Sequence, residues 1–202
     1  GTFIYTFFLF VYMGVYEPRE DSVLLQKFVK KYAKGHVLDM GTGSGILANE
    51  AGSCKKVVKV FGVDINGDAI VHCVRKYPGK KFLFAKSDLF QLFRLYDEYK
   101  DTKFDLIIFN PPYLPNDPDH PDVALDGGKK GYELICKFLH ASVDYLRPKG
   151  HILLLFSSLT GKEKLDNFLR RHYWEFEEIA NEHIFFEDLY VYLIKKIPKK
   201  GK

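Results

Sequence analysis

The sequence predicts an α/β fold: a doubly wound, seven-stranded, mostly parallel sheet that ends in a C-terminal antiparallel hairpin. Short apolar runs alternate with segments of helical period along most of the 202 residues. Such alternation builds βαβ units, whose right-handed crossovers put helices on both faces of one sheet. The last two apolar runs follow one another with no helical segment between them, as an antiparallel pair does.

The elements are expected in this order. Asp21 or Ser22 caps a helix over 23–32, with Leu24, Leu25, Phe28 and Val29 on one face. Strand 36–40 (HVLDM), a helix opening at 46–51, strand 57–63 (VVKVFGV), helix 68–77 and strand 81–85 follow. Strand 104–109 (FDLIIF) precedes a long helix over 132–146, strand 151–156 (HILLLF) and helix 162–171. The closing pair covers 174–180 and 185–194.

With 47% hydrophobic and 28% charged residues, the chain is no disordered polymer and can bury a core without staples. Cys54, Cys73 and Cys136 form no C-x-x-C pair, which argues against a disulfide scaffold or zinc knuckle and for a reducing, cytoplasmic setting. A net charge of +4 is too mild to define a nucleic-acid binder. Residues 1–14 are expected to form an apolar extension, 15–196 a single domain and 197–202 a basic, solvated tail. The apolar run 3–13 is too short for a membrane helix and lacks the flanks of a signal peptide, so a strand and no membrane association are expected.

In doubly wound sheets ligands bind where strands end, at the topological switch point. The first strand ends in Asp39-Met40-Gly41-Thr42-Gly43-Ser44-Gly45. Glycines allow a sharp turn and close approach of a ligand to the backbone. The spacing is G-x-G-x-G rather than the dinucleotide G-x-G-x-x-G, and no P-loop lysine follows. Asp39 would repel a pyrophosphate but suits a ligand bearing an ammonium and a sulfonium. Asp64 ends the second strand and can accept both hydroxyls of a ribose, with Ile65 beside it. Asp88, flanked by Ser87 and Leu89, follows the third strand and can receive an adenine amino group.

These residues resemble the S-adenosylmethionine site of class I, Rossmann-like methyltransferases. The resemblance implies that Gly41, Gly43 and Gly45 pass under the methionine moiety, Asp64 binds ribose and Asp88 reads adenine.

The fourth strand ends in Asn110-Pro111-Pro112-Tyr113. Two prolines stop a strand by removing donors, but the neighbours carry chemistry too. The Asn110 side-chain carbonyl and the Pro111 main-chain carbonyl are acceptors at fixed spacing, suited to a planar NH₂ group. Tyr113 offers a flat face for stacking. Such a clamp raises electron density on a poorly nucleophilic sp² nitrogen and aims it at a methyl donor. Methyltransferases of adenine, cytosine, guanine and protein glutamine share this pattern. A further set, VYEPREDS ahead of the first helix and VALDGG at 123–128, is similar to the short archaeal and eukaryotic branch of HemK-related glutamine-N5 methyltransferases.

That resemblance implies that the acceptor is the glutamine of the Gly-Gly-Gln tip of a class 1 translation release factor. It implies Asn110, Pro111, Pro112 and Tyr113 as the amide clamp, and a Glu20-Asp21-Ser22 region that closes over the methionine end of the cofactor. It also implies an Asp126-Gly127-Gly128 loop at the acceptor entrance and a small zinc-binding activator protein as partner. An RNA base methyltransferase is the alternative, since it uses the same clamp. A non-catalytic binding module is a weaker rival, because the acids, glycines and NPPY are all intact.

Overall fold

A computed structural model describes residues 20–111, 132–184 and 187–197. The expected strand at 3–13, the side chain of Asp21, Pro112, Tyr113, Asp126-Gly127-Gly128 and the tail from residue 198 lie outside the described residues.

The elements run α1 Glu20–Tyr32, β1 Gly35–Met40, α2 Ile46–Ser53, β2 Val57–Asp64, α3 Gly67–Lys76, β3 Phe82–Lys86 and α4 Gln91–Leu95. They continue with β4 Phe104–Phe109, α5 Glu133–Ser142, β5 Leu146–Ser157, a 3₁₀ turn Ser158–Thr160, α6 Lys162–Arg171, β6 Trp174–Ile184 and β7 Glu187–Lys196. The seven strands are ordered β3-β2-β1-β4-β5-β7-β6. The first five are parallel, and β7 pairs antiparallel with both β5 and β6. The expected fold class is therefore the observed one.

FDLIIF is apolar apart from Asp105 near its entry end because β4 is covered on both faces. Ile107 and Phe109 point into a core with Phe138 and Leu139 of α5 and Leu165 of α6. Leu106 and Ile108 point into a second core with Leu25 and Val29 of α1 and Ala48 of α2. Helices change face between β1 and β4, so the switch point falls where the glycine turn and Asn110 end adjacent strands.

The long helix expected over 132–146 is shorter. It stops at Ser142, whose hydroxyl bonds back to the Leu139 carbonyl at 2.8 Å. Beyond it, the Tyr145 carbonyl accepts the Phe104 N–H at 2.8 Å, and Leu146 pairs with Phe104 as β5 begins. The Tyr145 ring stacks on Phe90 at 4.5 Å, so tertiary contacts outcompete the helical pattern. Helix α4 is buried in the aromatic core through Leu92 and Phe93. Among the described residues, no helix is long and apolar enough to cross a membrane.

Candidate active site

Strand register sets the site. Met40 of β1 pairs with Val63 of β2 and with Phe109 of β4, and Asp64 pairs with Lys86 of β3. The next residue of each chain therefore leaves the sheet at one level: Gly41 lies between Asp64 on one side and Asn110 on the other. Neighbouring strands are ~4.8 Å apart, so the glycine turn and Asn110 share one crevice.

Asp39 is 1% exposed. Its Oδ2 accepts from the Thr42 hydroxyl at 2.7 Å and from the Ala48 N–H, in the first turn of α2, at 3.0 Å. Its Oδ1 is buried with no hydrogen-bond partner. Burial pushes the carboxyl up to about 7; the bonds from Thr42 and Ala48 only partly oppose this, and the Asp64 charge adds to it. A buried acceptor without a donor is costly. A cationic ligand would supply the missing partner, which fits the ammonium of S-adenosylmethionine.

Asp64 holds the glycine turn. Its Oδ2 accepts the Gly43 N–H and its Oδ1 the Asn66 N–H, both at 2.8 Å. Each oxygen keeps further lone-pair capacity for hydroxyl donors. Gly41, Gly43 and Gly45 all have left-handed backbones, with φ of 68, 51 and 77°. Their surroundings differ. A Cβ on Gly41 would meet nothing within 4 Å, which leaves the open side a ligand needs. A Cβ on Gly45 would come within 2.7 Å of the Tyr77 ring and 2.8 Å of Cys73 Sγ, so this glycine serves packing. The Cys73 thiol donates to the Gly43 carbonyl at 3.3 Å, and burial pushes it up to about 12, so it is structural and unreactive.

The third strand tip is organised by Ser87. The Ser87 hydroxyl donates to the Leu89 carbonyl at 2.8 Å and accepts the Leu92 N–H at 2.9 Å. The Ser87 N–H extends the β2–β3 ladder to the Asp64 carbonyl at 2.9 Å. Ser87 therefore shapes the turn in which Leu89 takes a φ of 47°. Asp88 is exposed beside it, and Ile65 is 52% exposed at the same end of the sheet.

Asn110 Nδ2 donates to Ser22 Oγ at 3.3 Å, and Ser22 is 3% exposed on α1. This bond ties the start of the first helix to the tip of β4 and aims the Asn110 amide. Pro111 follows, buried. Sequence reasoning named Ser22 and Asn110 separately but not their contact. It also missed Thr42 and Ala48 as partners of Asp39; the hydroxyl three residues beyond the acid was the available signal.

A doubly wound sheet with an acid, rather than a phosphate nest, at the first strand's turn fits the class I S-adenosylmethionine-dependent methyltransferases. The profile of the methyltransferase small domain family matches residues 19–186, and the chain belongs to that family. It is 36% identical over 184 residues to a provisionally assigned protein N5-glutamine methyltransferase of Methanocaldococcus jannaschii, covering 88% of this chain and 89% of that one. It is 30% identical over 152 residues to a release factor glutamine methyltransferase of Geobacter sulfurreducens, covering 68% of this chain but 51% of that protein. The chain thus spans about half the length of that bacterial relative. Among solved structures it is similar to the E. cuniculi Mtq2–Trm112 complex, described as methylating the translation termination factor eRF1. The TM-score is 0.70 at 24% identity, covering 91% of this chain and 99% of that one, a likeness of fold.

Proposed function

We propose that this methyltransferase transfers a methyl group to the side-chain amide nitrogen of glutamine in the Gly-Gly-Gln tip of a class 1 release factor. The observation that carries this reading is the register of β1 with β4, which sets Asn110 beside the glycine turn. The N5-glutamine and release-factor assignments of the two relatives support it. Asp39, Gly41, Gly43 and Asp64 would hold the cofactor, with Asp21, Ser22, Gly45, Ile65, Ser87, Asp88 and Leu89 around it. When bound, the cofactor supplies a methyl group on a sulfonium centre.

The protein's task is orientation. Asn110 and the Pro111 carbonyl accept the two N–H bonds of the acceptor amide, and Pro112 and Tyr113 complete the clamp. Holding both N–H groups in one plane points the nitrogen lone pair at the methyl carbon, an alignment worth on the order of several kcal/mol. Ser22 Oγ accepts from Asn110 Nδ2, which supports a role for Ser22 in orienting the Asn110 amide. No base is needed before attack, since the proton leaves after the C–N bond forms.

Charge at the strand tips favours a protein acceptor over the RNA-base alternative. Among the described residues, Asp39, Asp64, Glu187 and Asp188 lie at this end, against Lys86 and Lys162. A polyanionic acceptor would call for the reverse. A small activator protein would find an apolar edge at β3, where Phe82 and Phe84 stack at 5.7 Å and Val71 and Val74 of α3 are 48% and 52% exposed. The Mtq2–Trm112 pairing of the structural neighbour supports such a partner.

The test is incubation with labelled S-adenosylmethionine and a class 1 release factor, with and without the activator, followed by mass spectrometry. One added methyl on the Gly-Gly-Gln glutamine is expected. Label in RNA with none in the release factor would refute the assignment.

A further inference from the structure

At the far end of the sheet, away from the strand tips just described, a cavity of about 320 Å³ is lined by Pro148, Lys149, Gly150, His151, Glu175, Lys195 and Lys196. His151 lies one position before Ile152, which pairs with Ile194, so the cavity sits where β5 begins and β7 ends. Phe109 pairs with Leu154, so Asn110 is level with Leu155, four residues beyond His151, and the cavity lies ~13 Å below the clamp.

Its charge is unbalanced. Glu175 pairs with Lys195 at 2.8 Å. Among the described residues no ion pair engages Lys34, Lys149 or Lys196. Lys196 Nζ makes only a long 3.5 Å contact with the Val143 carbonyl. Lys149 is held out by the Arg147–Gly150 bulge, where five residues of β5 pass while β4 advances two, from Phe104 to Leu106. The His151 ring is half-buried and 6.4 Å from the Tyr32 ring. Burial and the charges of Lys34 and Lys195 hold its pKa down, as an uncompensated positive field does. The sequence then leaves β7 through Ile197 into Lys199, Lys200 and Lys202.

We propose that this cavity seats a backbone phosphate of a nucleic acid, held by Lys149, Lys195 and Lys196 of its lining, with Lys34, just ahead of β1 at the same end of the sheet, adding charge beside it, so that the enzyme docks on nucleic acid through the face opposite its methyl-transfer site. Phosphate is a fitting partner because lysines bind it as point charges, and a nucleic-acid backbone presents it repeatedly to separate lysines. The neighbouring Arg147 is turned to Asp105 at 3.4 Å. This inference does not depend on which acceptor is methylated, and the acidic strand tips keep the docked nucleic acid away from the clamp.

The test measures anisotropy of a labelled RNA hairpin with the full chain over a series of salt concentrations. A double variant, Lys34→Glu with Lys149→Glu, alters two exposed lysines and spares the fold. It is expected to weaken binding at least about tenfold and to flatten the log–log salt slope by about 2, near 0.9 per lost phosphate contact. The milder Lys149→Gln should flatten it by about 1. The His151 ring resonances should shift on adding RNA. Methyl transfer to a release factor should change less than about twofold in both variants, so failure here is distinct from failure of the glutamine assignment. The proposal is overturned if the wild type binds RNA no better than the double variant. It is equally overturned if polyglutamate binds as tightly as RNA, or if inorganic phosphate saturates the cavity without RNA competing for it.

Discussion

Replacing Asp39 by Asn should stabilise the folded protein at alkaline pH while crippling cofactor binding. The sign follows from burial. The Asp39 carboxyl is raised from 3.8 to about 7, with desolvation as the largest cause. A carboxyl raised on folding costs nothing below the unfolded value, where both states hold the proton. The cost grows from about pH 4 and is complete above about pH 7. The full span amounts to ~4 kcal/mol, and the part from pH 5 upward to ~3 kcal/mol. Asn cannot ionise, and its oxygen can still accept from Thr42 and Ala48. Its NH₂ group would stand where Oδ1 now lacks a partner, at a cost of ~1–3 kcal/mol. The net gain above pH 8 is then ~1–3 kcal/mol, a rise of several degrees in Tm. At about pH 5 the gain should vanish or reverse. Thermal denaturation of the cofactor-free proteins across this range gives the difference directly. A difference independent of pH would refute the buried-acid reading. Binding of S-adenosylmethionine should release close to one proton near pH 6 and almost none above pH 8, by calorimetry in buffers of different ionisation enthalpy. The variant should release none and bind at least about tenfold more weakly, since its site no longer offers an anion to the ammonium.

Asn110→Ala should lower kcat by about a thousandfold or more while cofactor affinity stays within a few-fold, because its amide orients the acceptor; single-turnover transfer and calorimetry separate the two. Asp64→Ala frees the Gly43 and Asn66 N–H groups and should weaken cofactor binding by ~10–100-fold. A change in turnover alone would contradict the role given to Asp64. Gly45→Ala meets both the φ of 77° and the Tyr77 and Cys73 contacts. It should cost ~2–4 kcal/mol in denaturant melts, whereas Gly41→Ala, facing open space, should cost less stability and more cofactor affinity.

The parallel core was legible because a strand covered on both faces reads as a nearly continuous apolar run, and FDLIIF and HILLLF do so apart from Asp105 and His151 near their entry ends. The end of α5 was not, since nothing local in 143–146 breaks a helix. What ends it is Leu146 pairing with Phe104 and Tyr145 stacking on Phe90, contacts between residues distant in the chain. The site divides in the same way. Asp39, the three glycines and Asp64 could be placed because a turn that needs positive φ advertises itself through glycine, and strand ends bring the acids to it. The clamp's support could not: Ser22 and Asn110 meet only because α1 packs across the sheet. Nor could the proton affinity of Asp39, which is made by what covers it. Leu47, Ala48 and Ala51 of α2 and Leu24, Leu25 and Val29 of α1 lie in one core on that side of β1, and they exclude the water that would otherwise keep the carboxylate acidic. The same packing that completes the fold therefore stores an unfavourable charge at the cofactor turn, and relief of that charge by a cation ties the stability of the domain to the occupancy of its site.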